Sequence, residues 1–600
     1  MIPVRADVPK EHQWNVEAIY HTTDEWQKSF LHYKGQDASP RWPELVEYKG
    51  KLGEGPLLLA DALKIYFNID RILSKLYTYS HLRHDEDLAN ELNKKNYSSM
   101  LGIFHDFQME TSWMEPELLQ MSEADFHHLI QSDQLKEYRF YLEKIWRMRE
   151  HTLSEKEERL LSLSGKPLET VSKAFSSLNN ADLQFAPIKD QKGNEHPLSH
   201  GLYHFYLKSP DRTLRKNAYE SMHKSYLSFE NTLCELIAGQ VENHLYLAKA
   251  RHYKSALESA LFPHKVDLSV YTNLIQTVRK HLGSLHKYVK LRKKIMGLQE
   301  LRAYDLYAPL VEEQQISIDY EEGRNLVLEA MKPLGTSYCE ILRKGLFEER
   351  WVDVFENKKK RSGAYSSGCY DTFPYILMNY NATLNDVFTL AHEMGHSMHS
   401  YLSNENQPYP YSRYPIFVAE VASTFNEQLL LRLLLEKSQG DKKRRTFLIN
   451  HAIDGIRGTL FRQTLFAEFE LKIHEWAEKG VPLTPRFLKD EFTKLYQDYY
   501  GPELILDEQV AIEWSRIPHF YYNFYVYQYA TGISAALALV QGVDNPKKRE
   551  HYLQFLSSGG SRYPLDLLKL AGVDMRSPEP IDAALTHFAK LVDELEGLLR

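Results

Sequence analysis

Cysteine is scarce in this sequence, which has only Cys234, Cys339 and Cys369 among its 600 residues. An odd number of cysteines at such wide spacing predicts reduced thiols, with neither a disulfide framework nor a CxxC metal-binding pair. Long hydrophobic runs are also missing, since the longest apolar stretches are far shorter than the roughly 18 residues that span a bilayer. The amino terminus lacks a basic start followed by an apolar run, the mark of a secretory signal. We therefore expect a cytoplasmic protein that does not enter a membrane.

A basic excess is lacking as well, because 73 lysines and arginines stand against 81 acidic residues, a formal net charge of −8. Nucleic-acid-binding proteins usually show a clustered basic surface, so we expect no nucleic-acid partner. The basic run KKKR at 358–361 is typical of a solvated loop. Nothing in the sequence indicates an oligomeric state. With 43% hydrophobic and 26% charged residues, the composition is that of a globular protein.

Helical periodicity dominates what the sequence does contain. Residues 267–297 place apolar side chains at steps of three and four, which predicts one helix of about eight turns between Asp267 and Gly297. Strand signals are confined to a hairpin pattern within 183–199 and to one or two strands within 362–382, directly before a histidine-rich helix. The predicted fold is therefore mainly α, with a small β-sheet beside that helix.

Chain length predicts more than one lobe, because 600 residues exceed the size at which a single hydrophobic core keeps growing. No repeat of 20 to 50 residues is evident, so a solenoid is not indicated. We expect an amino-terminal helical region at 1–195 and a catalytic body at 196–600.

The histidine-rich helix contains the stretch TLAHEMGHSMHSYL, residues 389–402. His392 and His396 are four residues apart, so their side chains lie on one face and can bind one Zn²⁺ ion. Glu393 follows the first histidine and can take a proton from metal-activated water. Asp386, three residues after Thr383, predicts a capping box at the start of the helix. The spacing HExxH therefore predicts a zinc site built for hydrolysis.

A catalytic zinc site keeps three protein ligands and one open position. Downstream of His396, Glu420 and Glu427 lie two helical turns apart on one face of an apolar helix, where a carboxylate is costly unless it is paired or binds a metal. We assign Glu420 as the third ligand and expect Glu427 and Asp386 to support the site without binding the metal. His399 is a further candidate ligand, but three ligands already suffice.

The motifs HEMGH, IFVAEVASTFNEQLLL and IPHFYYNFYVYQYATG resemble those of the thimet-oligopeptidase family of zinc peptidases, most closely its bacterial oligoendopeptidase F branch. The resemblance covers about residues 200–590. It implies a two-lobed helical body that encloses a deep channel, with one zinc ion per chain on the channel wall. It also implies a narrow entry that admits short unfolded peptides and excludes folded proteins.

The same resemblance implies a segment rich in histidine and tyrosine that stabilises the transition state. In this chain the segment contains His519, Tyr522, Tyr525 and Tyr529, which would share one broad face if the segment were helical. Attack of water on a peptide carbonyl creates an oxyanion, and a tyrosine hydroxyl or histidine N–H can donate a hydrogen bond to it. The sequence leaves open which tyrosine does so.

A peptide-binding strand is predicted just before the histidine-rich helix, at Pro374–Asn381. We expect this segment to be an edge strand to which a substrate adds by backbone hydrogen bonds, which would give broad specificity. The residues expected to contact the peptide are Gly363, Ala364, Tyr375 and Asn379.

These features together predict a zinc-dependent endopeptidase that acts on oligopeptides, with Glu393 as the general base. One alternative is a dipeptidyl carboxypeptidase, because angiotensin-converting-enzyme-like proteins also carry HEMGH with a similarly distant glutamate. A second alternative is a non-catalytic peptide-binding protein with structural zinc. Glu393 argues against this second alternative, because a structural site usually has four protein ligands and needs no base.

Overall fold

The computed structural model describes residues 2–311 and 317–600, and its secondary structure is mainly helical. None of the described helices is both long and apolar enough to cross a membrane. In chain order the helices are α1 Thr23–Tyr33, α2 Pro43–Val46, α3 Pro56–Glu86, α4 Glu91–Thr111, α5 Met114–Leu119, α6 Glu123–Ile130, α7 Arg139–Arg147, α8 Glu155–Ser177, α9 His200–Leu207, α10 Arg212–Leu227, α11 Glu230–Ala250, α12 Ala256–Leu261, α13 Leu268–Lys280, α14 Leu282–Ile295, α15 Tyr320–Ala330, α16 Thr336–Phe347, α17 Leu384–Asn406, α18 Ile416–Lys437, α19 Lys442–Ile456, α20 Arg462–Glu478, α21 Pro485–Tyr500, α22 Glu508–Ala511, α23 Tyr527–Val540, α24 Pro546–Leu556, α25 Pro564–Ala571 and α26 Glu579–Leu598.

The strands are short and form three small sheets within the described residues. They are β1 Ile188–Lys189, β2 Glu195–His196, β3 Leu301–Arg302, β4 Val352–Asp353, β5 Tyr365–Ser367, β6 Tyr375–Leu377 and β7 Leu504–Ile505. Strands β1 and β2 form the predicted antiparallel hairpin, and β3 pairs in parallel with β7. The third sheet has the order β4-β6-β5, with β4 parallel and β5 antiparallel to the central β6. The mainly α prediction is confirmed.

Contacts divide the chain into two compact units that are both discontinuous in sequence. The first comprises Met1–Thr152, Gln315–Leu433 and Leu539–Val573. The second comprises Leu153–Gln314, Leu434–Ala538 and Asp574–Arg600. The sequence-based division into 1–195 and 196–600 is linear and stays a prediction.

The sheet β4-β6-β5 lies in the first unit and corrects the predicted edge strand. Residues Tyr375–Leu377 form the central strand, because Ile376 pairs with Val352 on one side and with Ser366 on the other. A peptide cannot add to a strand whose backbone is paired on both sides. The strand at one end of this sheet is β5, ten residues earlier in the chain.

The basic run at 358–361 lies in a loop with three exposed residues, as predicted, but its third lysine is buried. Lys360 is buried, and its Nζ atom lies 2.7 Å from the carboxylate of Asp353, which is itself fully buried. Arg5 donates a second charged hydrogen bond to Asp353 at 2.8 Å. Burial alone would raise the pKa of Asp353, but the two cations hold it below its ordinary value. Lys360 is therefore part of a buried charge network in the first unit.

In the second unit, the predicted single helix at 267–297 is two helices. The apolar periodicity is real, but His281 leaves the helical conformation with φ −101° and ψ 7°, which separates α13 from α14. Gly297 follows with φ 62°, as a helix-ending glycine does. Periodicity could not reveal the break, because both helices bury the same stripe of side chains.

Candidate active site

Helices α17 and α18 cross at Gly395, where their backbones come into close contact. A β-carbon built on Gly395 would lie 2.5 Å from Ser423 Cα and 2.6 Å from the carbonyl oxygen of Ala422. Any side chain at this position would push α18 away from α17. Glycine inside a helix costs about 1 kcal/mol relative to alanine, and the close approach of the two helices accounts for its presence.

The crossing brings together three side chains that could hold a metal ion. The Oε2 atom of Glu420 lies 3.4 Å from His392 Nε2 and 3.6 Å from His396 Nε2. In the part of the chain that the structure describes, these residues are the one group of His, Cys, Asp or Glu side chains close enough for this. Ligands at 2.0–2.1 Å from a tetrahedral zinc ion are about 3.3 Å apart, so the spacing fits zinc.

Glu427, two turns after Glu420 on α18, determines how His392 presents its ring. The Nδ1 atom of His392 lies 2.5 Å from Glu427 Oε1. A carboxylate can only accept, so Nδ1 carries a proton, and Nε2 faces Glu420 and His396. Carboxylate–histidine pairs of this kind orient metal ligands and make them more basic.

The electrostatics of the group favour a cation. Burial would lower the pKa of His392, but the hydrogen bond and charge of Glu427, with Glu393 and Glu420 nearby, raise it to about 9. Burial would raise the pKa of Glu420, but hydrogen bonds and the two histidines lower it to about 2. Three carboxylates therefore lie around two imidazoles. Without a metal ion, a proton on His392 supplies the positive charge that these carboxylates favour. A divalent cation satisfies the same charges.

Glu393 lies outside the three-residue group and is buried, with 7% of its surface exposed. Burial raises its pKa, whereas the charges of His392 and His396 and, to a smaller extent, a hydrogen bond from the backbone of Ser366 lower it. Ser366 belongs to strand β5, and its hydroxyl lies 2.8 Å from the hydroxyl of Ser397 on α17. The helix with the two histidines is thus tied directly to the terminal strand of the sheet.

Comparison with known proteins shows the family of this chain. The model described as Peptidase family M3 matches residues 205–587, and the model described as Oligopeptidase F matches residues 117–185. The chain belongs to peptidase family M3. As an M3 peptidase it is a metalloendopeptidase and hydrolyses peptide bonds.

Relatives of this M3 peptidase match along its whole length. The chain is 45% identical to Oligopeptidase PepF of Bacillus subtilis (strain 168), covering 100% of this chain and 89% of the relative. It is 38% identical to Group B oligopeptidase PepB of Streptococcus agalactiae serotype III (strain NEM316), covering 99% and 98% of the two chains. The solved structure of oligoendopeptidase-F from Enterococcus faecium is similar, with a TM-score of 0.75, 36% identity and coverage of 96% and 99%. A solved chain from Chlamydophila abortus has a TM-score of 0.93 at 41% identity and full coverage of both chains.

The predicted peptide contacts of the M3 peptidase divide into two pairs. Gly363, with φ 89°, and Ala364 directly precede strand β5, and Gly363 is exposed. Tyr375 instead has its side chain in the core and donates its hydroxyl to the carbonyl of Asn15 at 2.7 Å. Asn379 donates to the carbonyl oxygen of Gly363 at 2.9 Å, and so braces the segment before β5. Tyr375 and Asn379 therefore have structural contacts, and contact of all four residues with a peptide stays a proposal.

Asp386 and His399 lie on α17 and both have contacts away from the three-residue group. Asp386 forms the predicted capping box, accepting from the backbone N–H of Thr383 at 2.9 Å. His399 is fully buried and stacks on Tyr414 with ring centroids 3.7 Å apart. Burial lowers the pKa of His399 to about 3, so this ring is neutral. Asp386 thus helps to cap the start of the helix, and His399 packs against Tyr414.

His519, Tyr522, Tyr525 and Tyr529 lie in the second unit and form one aromatic cluster. The segment is not one continuous helix, because a 3₁₀ turn at Pro518–Tyr521 is followed by non-helical backbone until α23 begins. The side-chain rings of the four residues nevertheless lie close to one another. Tyr529 Oη lies 3.3 Å from His519 Nε2, and the His519 ring is 6.1 Å from those of both Tyr522 and Tyr525. Burial lowers the pKa of His519.

Sequence reasoning missed two features of the site. Gly395 could have been found, because a glycine inside a strongly helical pattern often marks a close contact between backbones. Ser366 carried no signal of its own, since its role depends on which strand ends the sheet.

Proposed function

We propose that this M3 peptidase is a zinc-dependent endopeptidase that hydrolyses short, unfolded oligopeptides. The observation that carries the proposal is the convergence of His392, His396 and Glu420 from two crossing helices, with Glu393 beside the group and outside it. A zinc ion held by these three side chains would supply Lewis-acid chemistry, since zinc acidifies water and polarises carbonyl groups.

Glu393 moves the proton in the proposed reaction. Its carboxylate takes a proton from the attacking water as the water oxygen bonds to the peptide carbonyl carbon. When the carbon–nitrogen bond breaks, the same carboxyl group returns that proton to the leaving nitrogen. Glu427 holds His392 in the tautomer that leaves Nε2 available as a ligand.

Strand β5 is the proposed place for the substrate backbone. It ends the sheet β4-β6-β5, and Ser366 within it contacts both Glu393 and Ser397 on α17. An extended peptide paired with β5 would use backbone hydrogen bonds that do not depend on side chains, which accounts for broad specificity. Gly363 and Ala364 would lie at one end of the bound peptide.

His519 and its tyrosines are proposed to stabilise the oxyanion. The support comes from the family resemblance and from the clustering of one imidazole with three phenols in the second unit. A neutral histidine N–H or a tyrosine hydroxyl can donate to a developing negative charge. The choice among Tyr522, Tyr525 and Tyr529 is decided by their separate phenylalanine variants.

The substrate class rests on the relatives. Several full-length relatives carry the names oligopeptidase or oligoendopeptidase F, and we extend that substrate class to this chain. A cytoplasmic location, predicted from the sequence, stays part of this proposal.

The test of the mechanism is the substitution Glu393→Gln. A general base contributes about 10² to 10⁴ in rate, so kcat/KM for an internally quenched peptide should fall by that range. Zinc content, measured by atomic absorption, should stay near one per chain because the ligands are intact. Glu405→Gln, which changes an exposed carboxylate on the same helix, is the matched control and should leave both values unchanged. Unchanged cleavage by the Glu393→Gln protein would refute the mechanism.

Substrate choice is tested with a mixed peptide pool digested with and without a chelator and read by mass spectrometry. The pool contains each peptide with a free and with an amidated carboxyl terminus. An endopeptidase cleaves both forms, whereas a dipeptidyl carboxypeptidase needs the free carboxylate. Release of dipeptides from the free forms alone would favour the second activity.

A further inference from the structure

In the second unit, the segment that carries Tyr522 bends through two residues in the left-handed region. Asn523 has φ 45° and Phe524 has φ 59°. Asparagine tolerates this conformation, but a bulky residue such as phenylalanine rarely adopts it. Strained residues of this kind cost about 1–3 kcal/mol each and persist only where the surrounding structure fixes them. The turn Tyr521–Phe524 therefore needs an external support.

Two buried side chains hold the backbone of this turn at its two ends. Glu470 on α20 accepts a hydrogen bond from the backbone N–H of Phe524 at 2.7 Å. Gln240 on α11 donates through Nε2 to the carbonyl of Tyr521 at 3.2 Å. The turn is thus fixed from two different helices.

A chain of hydrogen bonds through two histidines runs from the Gln240 side chain to the main-chain carbonyl of Glu470. Gln240 Nε2 lies 2.9 Å from His244 Nε2, His244 Nδ1 lies 3.0 Å from His474 Nε2, and His474 Nδ1 lies 2.8 Å from the carbonyl oxygen of Glu470. A carbonyl only accepts and an amide nitrogen only donates, so both ends of the chain have a fixed direction. His474 must donate from Nδ1 and accept at Nε2, and His244 must do the same. Both rings are neutral and both tautomers are determined.

The four residues Gln240, His244, His474 and Glu470, called the tyrosine-loop network below, are all buried. Burial lowers the pKa of His244 to about 3 and that of His474 to about 4, and it raises the pKa of Glu470 to about 8. The network is therefore mainly uncharged at neutral pH. Each bond of this chain joins two buried groups, and breaking one leaves a buried group without a partner, which makes the chain rigid.

We propose that the tyrosine-loop network positions the turn Tyr521–Phe524, and with it Tyr522 and the neighbouring His519, for stabilisation of the oxyanion. Its residues act through the backbone of the turn and do not touch the substrate. This inference rests on the proposed function of the histidine and tyrosine segment and adds the residues that hold the segment in place.

The test compares two substitutions at Glu470 with one at Glu468. Glu470→Ala removes the acceptor for Phe524 N–H, whereas Glu470→Gln keeps an oxygen there and leaves the residue uncharged. Glu468→Ala is the matched control, since Glu468 is a buried carboxylate on the same helix whose partners are Arg279 and Tyr499. A misplacement of about 1 Å can cost about 100-fold in rate, so we expect Glu470→Ala to lower kcat by about 10- to 100-fold. KM and zinc content should change less than about 2-fold.

The controls separate positioning from general destabilisation. Glu470→Gln should restore kcat to within about 3-fold of the unaltered enzyme. Glu468→Ala should lower the melting temperature without lowering kcat at 25 °C. Hydrogen exchange, followed by mass spectrometry on a peptide covering 519–526, should accelerate in Glu470→Ala and not in Glu468→Ala. If Glu470→Ala does not fold, Gln240→Leu, which releases the Tyr521 carbonyl, is measured in the same way.

Each outcome bears on the proposal. Unchanged kcat and unchanged exchange in Glu470→Ala would overturn it, as would an equal loss of kcat in Glu468→Ala. If His519→Ala and the three tyrosine-to-phenylalanine variants all keep full kcat, the proposed function of the segment is wrong and the inference falls with it. If those variants lose activity while Glu470→Ala does not, the inference alone is wrong.

Discussion

Replacement of Gly395 by alanine is the sharpest test of how the metal-binding group is built. The new β-carbon would lie 2.5 Å from Ser423 Cα, and ordinary contact begins at 3.4 Å, so the two helices must separate by about 0.9 Å. Both near neighbours, Ser423 Cα and the Ala422 carbonyl, are backbone atoms that cannot rotate away. The strain cannot be relieved by a side-chain movement, and α18 must shift.

A shift of this size matters because Glu420 lies one turn from Ser423. Metal sites require ligand distances within about 0.2 Å of their ideal values, and 0.9 Å is more than four times that tolerance. We expect the zinc dissociation constant of the Gly395→Ala protein to rise by at least about 10-fold, comparable to the loss of a residue that orients a ligand. Overpacking should also lower the free energy of unfolding by about 1–3 kcal/mol.

The assay is competition for zinc against a chromophoric chelator, with urea unfolding measured on the same samples. Gly102→Ala is the matched control, because Gly102 lies inside α4 and a β-carbon added to it would meet no heavy atom within 4 Å. Alanine there should raise stability by about 0.5–1 kcal/mol and leave zinc affinity unchanged. A Gly395→Ala protein that binds zinc within about 2-fold of the unaltered chain would refute the reasoning.

Two further predictions concern carboxylates of the first unit. Glu427→Ala removes the acceptor for His392 Nδ1, and the zinc dissociation constant from the same competition assay should rise about 10- to 100-fold. Lys360→Met takes one of two cations from the buried Asp353 and should lower the free energy of unfolding by about 3–5 kcal/mol at pH 7. Since the pKa of Asp353 is lowered by folding, its contribution is complete above its unfolded pKa of about 3.9 and disappears as pH falls through the folded pKa. Urea midpoints should therefore differ between the two proteins at pH 7 and converge as pH falls through the folded pKa of Asp353, and a constant difference would contradict this account.

The helical parts of the site could be predicted from the sequence because they depend on residues that are close together in the chain. His392 and His396 share a face by their spacing alone, and the capping box at Asp386 is a pattern of four residues. Glu420 and Glu427 stood out because carboxylates on an apolar face need a partner. The structure places these groups within hydrogen-bonding or metal-binding distance of one another.

Features that depend on contacts between residues far apart in the sequence could not be predicted from local patterns. The edge-strand prediction failed because β6 gains a second partner, β4, more than twenty residues earlier in the chain. Lys360 is buried because Asp353 and Arg5 meet it in space, and a basic run is otherwise a sign of solvent exposure. The left-handed turn at Asn523 and Phe524 is held by side chains from α11 and α20, which are far away in the sequence. In each case tertiary partners outweigh a local preference.

The metal-binding group and the proposed oxyanion segment are held in place by different parts of the structure. Substitutions that disturb one should therefore be distinguishable from substitutions that disturb the other. The metal-binding group depends on one helix crossing in the first unit, so substitutions at Gly395 or Glu427 should act on zinc affinity. The oxyanion segment depends on the tyrosine-loop network in the second unit, so substitutions at Glu470 should act on kcat with zinc fully bound. A variant of Glu470 that lost zinc, or a variant of Gly395 that lost only kcat, would show that the two supports are energetically linked.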